Sequence, residues 1–355
     1  MPAYASLVLT FSFILITQIS FTSADWDNQL LEKFFPGYND GFQRILRENC
    51  SEQYADYLVN KDNSIKVDSI LRGFGLDRPH SPVVECILNA APEFVKSKMA
   101  SAQVLLGLTP TILATLGSSP LETAMLAIVA RRPLLALFLA AGSPSVFAFR
   151  SFEYTKAIED LPERHIDRPR FLLRAHKVVA ILQYLLAAAS IANVGELAYR
   201  LGALVIVTIT PSKEYIVALW AFLGMIIHVL GVLTLRLRIE MTSKTTENGN
   251  AHRHPHTLNL VTSQSELLAR QEAIRMTILP ESWKFFLASW VTSTFTACHI
   301  IFGTLVFSTM LFISVTDSLI VIARLMASVI ACRIILNSEL TTLPKAIEVE
   351  NRGRS

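Results

Sequence analysis

Charge is what this chain has least of. Only 17% of its 355 residues are Asp, Glu, Lys or Arg, where a soluble domain carries about a quarter. The shortfall falls after Met99, where long apolar stretches replace mixed sequence. Cysteine is scarce as well, and four residues are too few for a disulfide scaffold. No Cys-x-x-Cys, His-Glu-x-x-His, Gly-x-Ser-x-Gly or Walker-type glycine loop occurs, so the known motif-borne chemistries have no foothold. Catalysis has no positive support, and no metal or cofactor is expected. A net charge of +3 gives no reason to expect a nucleic-acid partner.

Hydrophobic residues, by contrast, make up 52% of the chain, with a mean hydropathy of +0.42. Their distribution predicts an all-α polytopic membrane protein whose first partner is the lipid bilayer. Leu7–Ile19 is an apolar run followed by Phe21-Thr22-Ser23-Ala24 and then Asp25. Thr22 and Ala24 fit a small-x-small cleavage site, so 1–24 reads as a signal peptide. The alternative is an uncleaved anchor, for which the run is short against the roughly 20 residues of a span.

Residues 25–98 have soluble composition and read as a small lumenal or extracellular helical domain. Cys50 and Cys86 are its only cysteines, and an oxidising lumen predicts a disulfide between them. Asn49-Cys50-Ser51 is an acceptor triplet for glycosylation at Asn49. Leu30, Leu31, Phe34 and Phe35 before Pro36-Gly37 predict a short amphipathic helix with a stop. Gln43–Leu58 predicts another.

Residues 99–238 form the first membrane region. Met99–Leu116 is its first span, with Pro110 inside. Ser119-Pro120-Leu121-Glu122 then spells a capping box with proline at the first helical position. The short helix it opens is interrupted at Arg131-Arg132-Pro133, and the next apolar piece carries Gly142-Ser143-Pro144. Either 133–149 spans, or 120–149 is an interfacial or re-entrant pair. The basic connection 150–177 belongs on the cytoplasmic side, which favours the pair. Val178–Thr210 is long for one span and is expected to tilt, protrude or break near Asn193-Val194-Gly195. Pro211-Ser212-Lys213-Glu214 reads as a lumenal turn. Tyr215–Leu235 returns, with Tyr215 and Trp220 near its outer end and Arg236 and Arg238 at its inner end. A polar cytoplasmic loop (239–283) reads as irregular over Thr242–Pro255 and helical over Ser263–Ile278. Residues 284–337 make a two-span hairpin turning near Ser314–Ser318, and 338–355 a cytoplasmic tail. The count is five to six spans plus the pair, in a secretory-pathway membrane and by expectation the plasma membrane.

Each span carries a face of small or polar residues, most simply explained by close helix approach. The ionisable members are harder to dismiss, because a charge at mid-bilayer costs about 2.5–3.5 kcal/mol even on the lenient insertion scale. Arg324 and Asp317 are seven residues apart on one face. Asp317 has a plain alternative role as a helix-start residue, and Arg324 as a snorkelling cation. Glu196 and Arg200 have the spacing of a self-neutralising pair. His228 and His299 are candidates for proton relay or ligand binding, against the common case of a histidine bonded to a neighbouring helix. His252-Arg253-His254-Pro255-His256 reads as a solvated linker. Cys298 and Cys332 read as small core residues.

Met99-Ala100-Ser101, Leu106-Gly107-Leu108-Thr109-Pro110-Thr111-Ile112-Leu113 and Leu116-Gly117-Ser118-Ser119 together resemble a group of functionally uncharacterised filamentous-fungal membrane proteins. So do Arg131-Arg132-Pro133-Leu134-Leu135 with Ala141-Gly142-Ser143-Pro144, Phe35-Pro36-Gly37-Tyr38 and Asn49-Cys50-Ser51. The resemblance covers most of 25–155. It implies a multi-pass protein with a signal peptide and a small cysteine-containing lumenal domain, and carries over no activity and no site residue.

Three classes of role follow from the residues. Transport or sensing is favoured by the intramembrane Arg324, the histidines and the broken 120–149 segment. A scaffold would act through its lumenal domain or cytoplasmic loop. A lipid-modifying enzyme has no nucleophile or metal constellation to support it. The small-molecule or protein partner is not specified by the residues.

Overall fold

The computed structural model describes residues 31–60, 80–147, 176–209, 215–243, 274–340 and 347–351. The expected signal peptide, the basic connection up to residue 175, the 211–214 turn and the histidine-rich linker lie outside them. Ten helices account for most of the described chain. Five are long and apolar enough to cross a membrane, which fits an all-α polytopic membrane protein.

The disulfide domain contains α1 (Asn39–Glu48), α2 (Ser51–Asn60) and α3 (Ser81–Ala90). Cys50 and Cys86 are bonded with their Cα atoms 5.9 Å apart. The expected helix over Leu30–Phe35 is not formed where the chain is described. Leu31 has φ 67°, a conformation no L-residue helix accommodates, and Leu31, Phe34 and Phe35 are buried as a turn instead. The Gln43–Leu58 helix is two helices, because the chain turns at Asn49-Cys50, where the buried Cys50 ties α1 and α2 to α3.

The bundle consists of α4 (Glu93–Leu116), α5 (Pro120–Ile128), α6 (Pro133–Gly142), α7 (His176–Leu204), α8 (Ile216–Arg236), α9 (Trp283–Ser308) and α10 (Val315–Leu340). α4 starts six residues before Met99, so the soluble and membrane parts share one continuous helix. α7 runs unbroken through Asn193-Val194-Gly195. The side chain of Asn193 is bonded to α10 rather than competing with its own backbone. α8 and α9 keep large apolar side chains outward, among them Ile226, Val229, Leu233, Trp290, Ile301 and Leu305. Glycine, serine and threonine lie between helices, as close approach requires.

The two ends differ. At one, β1 (Ile206–Val207) pairs antiparallel with β4 (Met310–Leu311). Ile206 and Phe312 there enter the core of the disulfide domain. The last turn between spans is therefore Thr309–Ser314, and Ser314 is already the cap of α10. At the far end, β2 (Ile239–Ser243), β3 (Ile274–Ile278) and β5 (Ile347–Asn351) form a sheet in that order, β2–β3 antiparallel and β3–β5 parallel. This corrects three expectations. Thr242–Ser243 is strand, Ile274–Ile278 is strand and not helix, and the tail contributes a strand after α10 reaches Leu340. Ile274, Met276 and Ile278 alternate with Arg275 and Thr277, the period-2 pattern of a strand.

Candidate functional site: a break in the chain halfway along the bundle

Two close approaches fix how deep α4 reaches. Gly107 leaves so little room that a Cβ there would stand 2.9 Å from Cβ of Ser308, the last residue of α9. Pro110 lies against Gly303. α4 ends six residues later, about 9 Å further in, which brings Leu116 only about halfway along α9. There the chain breaks at Gly117–Ser119.

The capping box restarts it. Glu122 N–H donates to Ser119 Oγ at 3.1 Å, and Ser119 N–H donates to Glu122 Oε2 at 2.9 Å, so two otherwise orphaned amides are satisfied inside the bundle. α5 and the turn after it lead to Arg132, buried at the far end. Its Nη1 donates to Gln183 Oε1 at 2.8 Å and lies 3.2 Å from Glu339 Oε2. Gln183 Nε2 donates to the other carboxylate oxygen at 2.6 Å. Arg131, with φ 51°, turns the chain so that Pro133 opens α6 back into the bundle. α6 stops at Gly142, where a Cβ would meet Ser190 Cβ at 2.9 Å and Cys332 Sγ at 3.0 Å.

The two breaks then meet. Ser118 and Val146 form a parallel bridge, with Phe147 N–H donating to Ser118 O at 3.1 Å, and Gly117 abuts Ser145. Residues 120–142 leave and return to the same level, so the pair is a helical hairpin that does not cross the whole bundle. The polar backbone at the breaks is buried in protein, the setting in which irregular backbone survives at membrane depth.

Around the two breaks, three neighbouring helices each reach the hairpin with a polar side chain. From α8, His228 Nδ1 lies 2.8 Å from Thr123 Oγ1. From α9, His299 Nε2 lies 3.1 Å from the carbonyl oxygen of Pro144. From α10, Arg333 pairs with Glu122 and donates to Gly117 O at 3.2 Å. Gly231 touches the Pro120 backbone, and a Cβ at Gly224 would sit 3.4 Å from Val146. Trp220, near the outer end of α8, points into the bundle. It is 1% exposed and stacks on His299 with ring centroids 5.5 Å apart.

The other predicted site residues fall into two further places. Arg324 is buried and does not snorkel. It pairs with Glu196, which also holds Arg200, and its Nε donates to Asn193 Oδ1 at 2.8 Å. Asn193 Nδ2 donates to Ser328 Oγ at 2.7 Å and to Arg324 O at 3.1 Å. Asp317 does start a helix: its N–H bonds Ser314 Oγ at 3.0 Å. Its Oδ2 takes the Ser314 hydroxyl at 2.7 Å and Gly37 N–H at 3.0 Å, tying the disulfide domain to α10. Burial, and secondarily the Asp317 charge, push the Tyr38 phenol above its usual range.

The chain therefore brings Arg324, Glu196 and Arg200 together, puts His228 and His299 at the hairpin, and keeps Asp317 apart. Glu122, Arg333, Thr123, Asn193 and the Arg132–Gln183–Glu339 group complete the buried polar network. Of these, Glu122 is legible in the sequence as a cap, and Arg132 and Asn193 only as points where a helix is expected to break. Arg333, a lone charge in the apolar run Val329–Leu336, could have been found by the rule that flagged Arg324. Among the described residues no group of three or more His, Cys, Asp or Glu is arranged to hold a metal. No protein-family model, no curated protein and no solved structure matches the chain.

Proposed function

We propose that this membrane protein carries or senses a small polar or ionic solute at the centre of its bundle. The observation that supports this most is the meeting of two chain breaks, 117–119 and 143–147, beside His228 and His299. Ends of half-helices and unwound backbone at mid-depth are the usual material of solute sites in membrane bundles.

The reading assigns the disulfide domain to the lumen or cell exterior, because a Cys50–Cys86 bond persists in an oxidising compartment. Asn49, exposed at the end of α1, is then accessible for glycosylation. The far end, with Arg132, Arg236, Arg238 and Lys284, faces the cytoplasm.

The test is flux through the purified full chain in proteoliposomes, using a panel of monovalent cations, protons and small anions. The reading predicts flux, or solute-dependent stabilisation, for one of these, lost in Arg333→Leu. If no member of the panel moves or stabilises the protein, and Arg324→Ala and His299→Ala leave its cellular function intact while loss of 25–98 abolishes it, the chain is a scaffold.

A further inference from the structure

The bonds of His299 fix its tautomer. A carbonyl oxygen only accepts, so the contact with Pro144 O requires hydrogen on Nε2, and Nδ1 of the neutral ring is a bare lone pair. That Nδ1 is buried with no partner. His228 is its counterpart on the other side of the hairpin. Its Nδ1 is taken by Thr123, whose hydroxyl is also 3.0 Å from Pro120 O, and its Nε2 is buried with no partner. Both rings border one spot on α8: a Cβ at Gly224 would stand 3.8 Å from His299 Nε2, and Gly224 is one helical turn before His228 on the same face.

Charged groups on neighbouring elements are spoken for. Glu122 of α5 is held by Arg333 of α10, Glu196 of α7 by Arg324 and Arg200, and Glu339 of α10 by Arg132. α6 carries no ionisable side chain, and the charges of α4 stand at its start, at Glu93, Lys96 and Lys98. Those of α8 and α9, Arg236 and Lys284, stand at their far ends. Among the described residues no carboxylate is paired with either histidine. One buried face of α9 continues from His299 through Thr296 and Thr292 to Ser289, whose hydroxyl is also buried without a partner. This line of hydroxyls covers about 15 Å toward the far end.

We infer that His228 and His299 are the proton-binding site of the bundle, and that loading one ring releases the hairpin seated on both. The inference rests on the proposed function and names the proton as the ion. A proton passes from hydronium at the far face to a ring-nitrogen lone pair, leaving water and an imidazolium, with no other bond made or broken. In the closed arrangement the new N–H has no acceptor, an unfavourable state for a buried donor. Adjacent imidazolium rings would repel, so the pair takes one proton at a time. The acceptor is supplied by water, which gains the rings when 143–147 moves off α9 or α5 moves off α8.

The experiment reads alkylation of Ser145→Cys, in full-length protein with Cys298 and Cys332 changed to Ala, by a small water-soluble maleimide in nanodiscs. Each rate is divided by that of the same protein carrying His299→Gln, which keeps a donor for Pro144 but does not titrate, so the thiol's own pH dependence cancels. Between about pH 8 and about pH 4 the ratio is expected to rise about tenfold or more. A His228→Gln background should flatten the rise in part, and serves if His299→Gln does not fold. As an independent check on the unsubstituted protein, ¹⁵N-histidine spectra should show His299 with hydrogen on Nε2 and Nδ1 bare. A labelled site whose ratio does not change with pH overturns the proton assignment and leaves the solute reading standing. A site unlabelled at every pH overturns both.

Discussion

Arg333 on the last helix holds both sides of the first chain break. It pairs with Glu122, the third residue of α5, and donates to the carbonyl of Gly117 before it. The carboxylate it binds also closes the capping box on Ser119. One guanidinium thus couples α4, α5 and α10 at the depth where the backbone is irregular. In the following tests, stability means resistance to thermal unfolding in detergent or nanodiscs.

Removing that guanidinium should loosen the hairpin. Both side chains keep some exposure, 33% for Arg333 and 19% for Glu122, so the cost is below that of a fully buried pair. Arg333→Leu should destabilise by about 1–3 kcal/mol, and adding Glu122→Gln should restore part of it. A double-mutant cycle on thermal unfolding checks the sign of that coupling; strictly additive losses would mean the two residues do not share a state.

The Arg324 cluster is drier. Arg324→Leu strands Glu196 with Arg200 alone and takes away the partner of Asn193, and should destabilise by about 3–5 kcal/mol. Asn193→Ala removes three hydrogen bonds and should cost about 1–3 kcal/mol. A denaturation series over these variants should rank them in that order.

Gly231 tests the seat of the hairpin by shape alone. A Cβ there would lie 2.6 Å from Pro120 Cβ and 2.8 Å from its carbonyl oxygen, so Gly231→Ala must push α5 away. The expected loss is about 1–3 kcal/mol. Hydrogen exchange should rise in 117–147 and not in the disulfide domain.

The link between domains runs through Asp317. Asp317→Ala loses the bonds to Gly37 and Ser314, and should cost about 1–2 kcal/mol. It should also lower the Tyr38 titration, since one cause of its elevation is removed, though the larger cause, burial, remains. A raised phenol contributes stability below its unfolded value and loses it as pH climbs through the folded one. The alkaline loss of stability should therefore be smaller in the variant and end at lower pH, while phenolate absorbance of the folded protein appears at lower pH.

Reducing Cys50–Cys86, which are 36 residues apart, should cost the disulfide domain about 3–4 kcal/mol on the loop-closure account. The loss should show as faster exchange in α1–α3, with α5 and α6 unchanged.

Local chemistry was legible in the sequence, and long-range pairing was not. The capping box at Ser119 could be read because its partners are three residues apart, and Glu196–Arg200 because one helix turn joins them. The small-residue faces of α8, α9 and α10 were found by period. Nothing in the order of residues pairs Glu196 with Arg324 across 128 positions or Glu122 with Arg333 across 211. Ile274–Ile278 was read as helix because the residues before it carry helical character, yet five alternating residues paired with β2 and β5 settle as strand. The place of Trp220 near a span end does not say which way it points, and only the room left by Gly303 shows it turned inward.

The most direct test of the whole account is the sidedness of Ser118→Cys, in protein with Cys298 and Cys332 replaced. Impermeant thiol reagents should reach it from one face of a sealed proteoliposome, while Ile112→Cys on the exposed side of α4 reacts only with lipid-soluble reagents. If Ser118→Cys also reacts only with lipid-soluble reagents, or with none, the break is a sealed packing feature and the central claim is wrong.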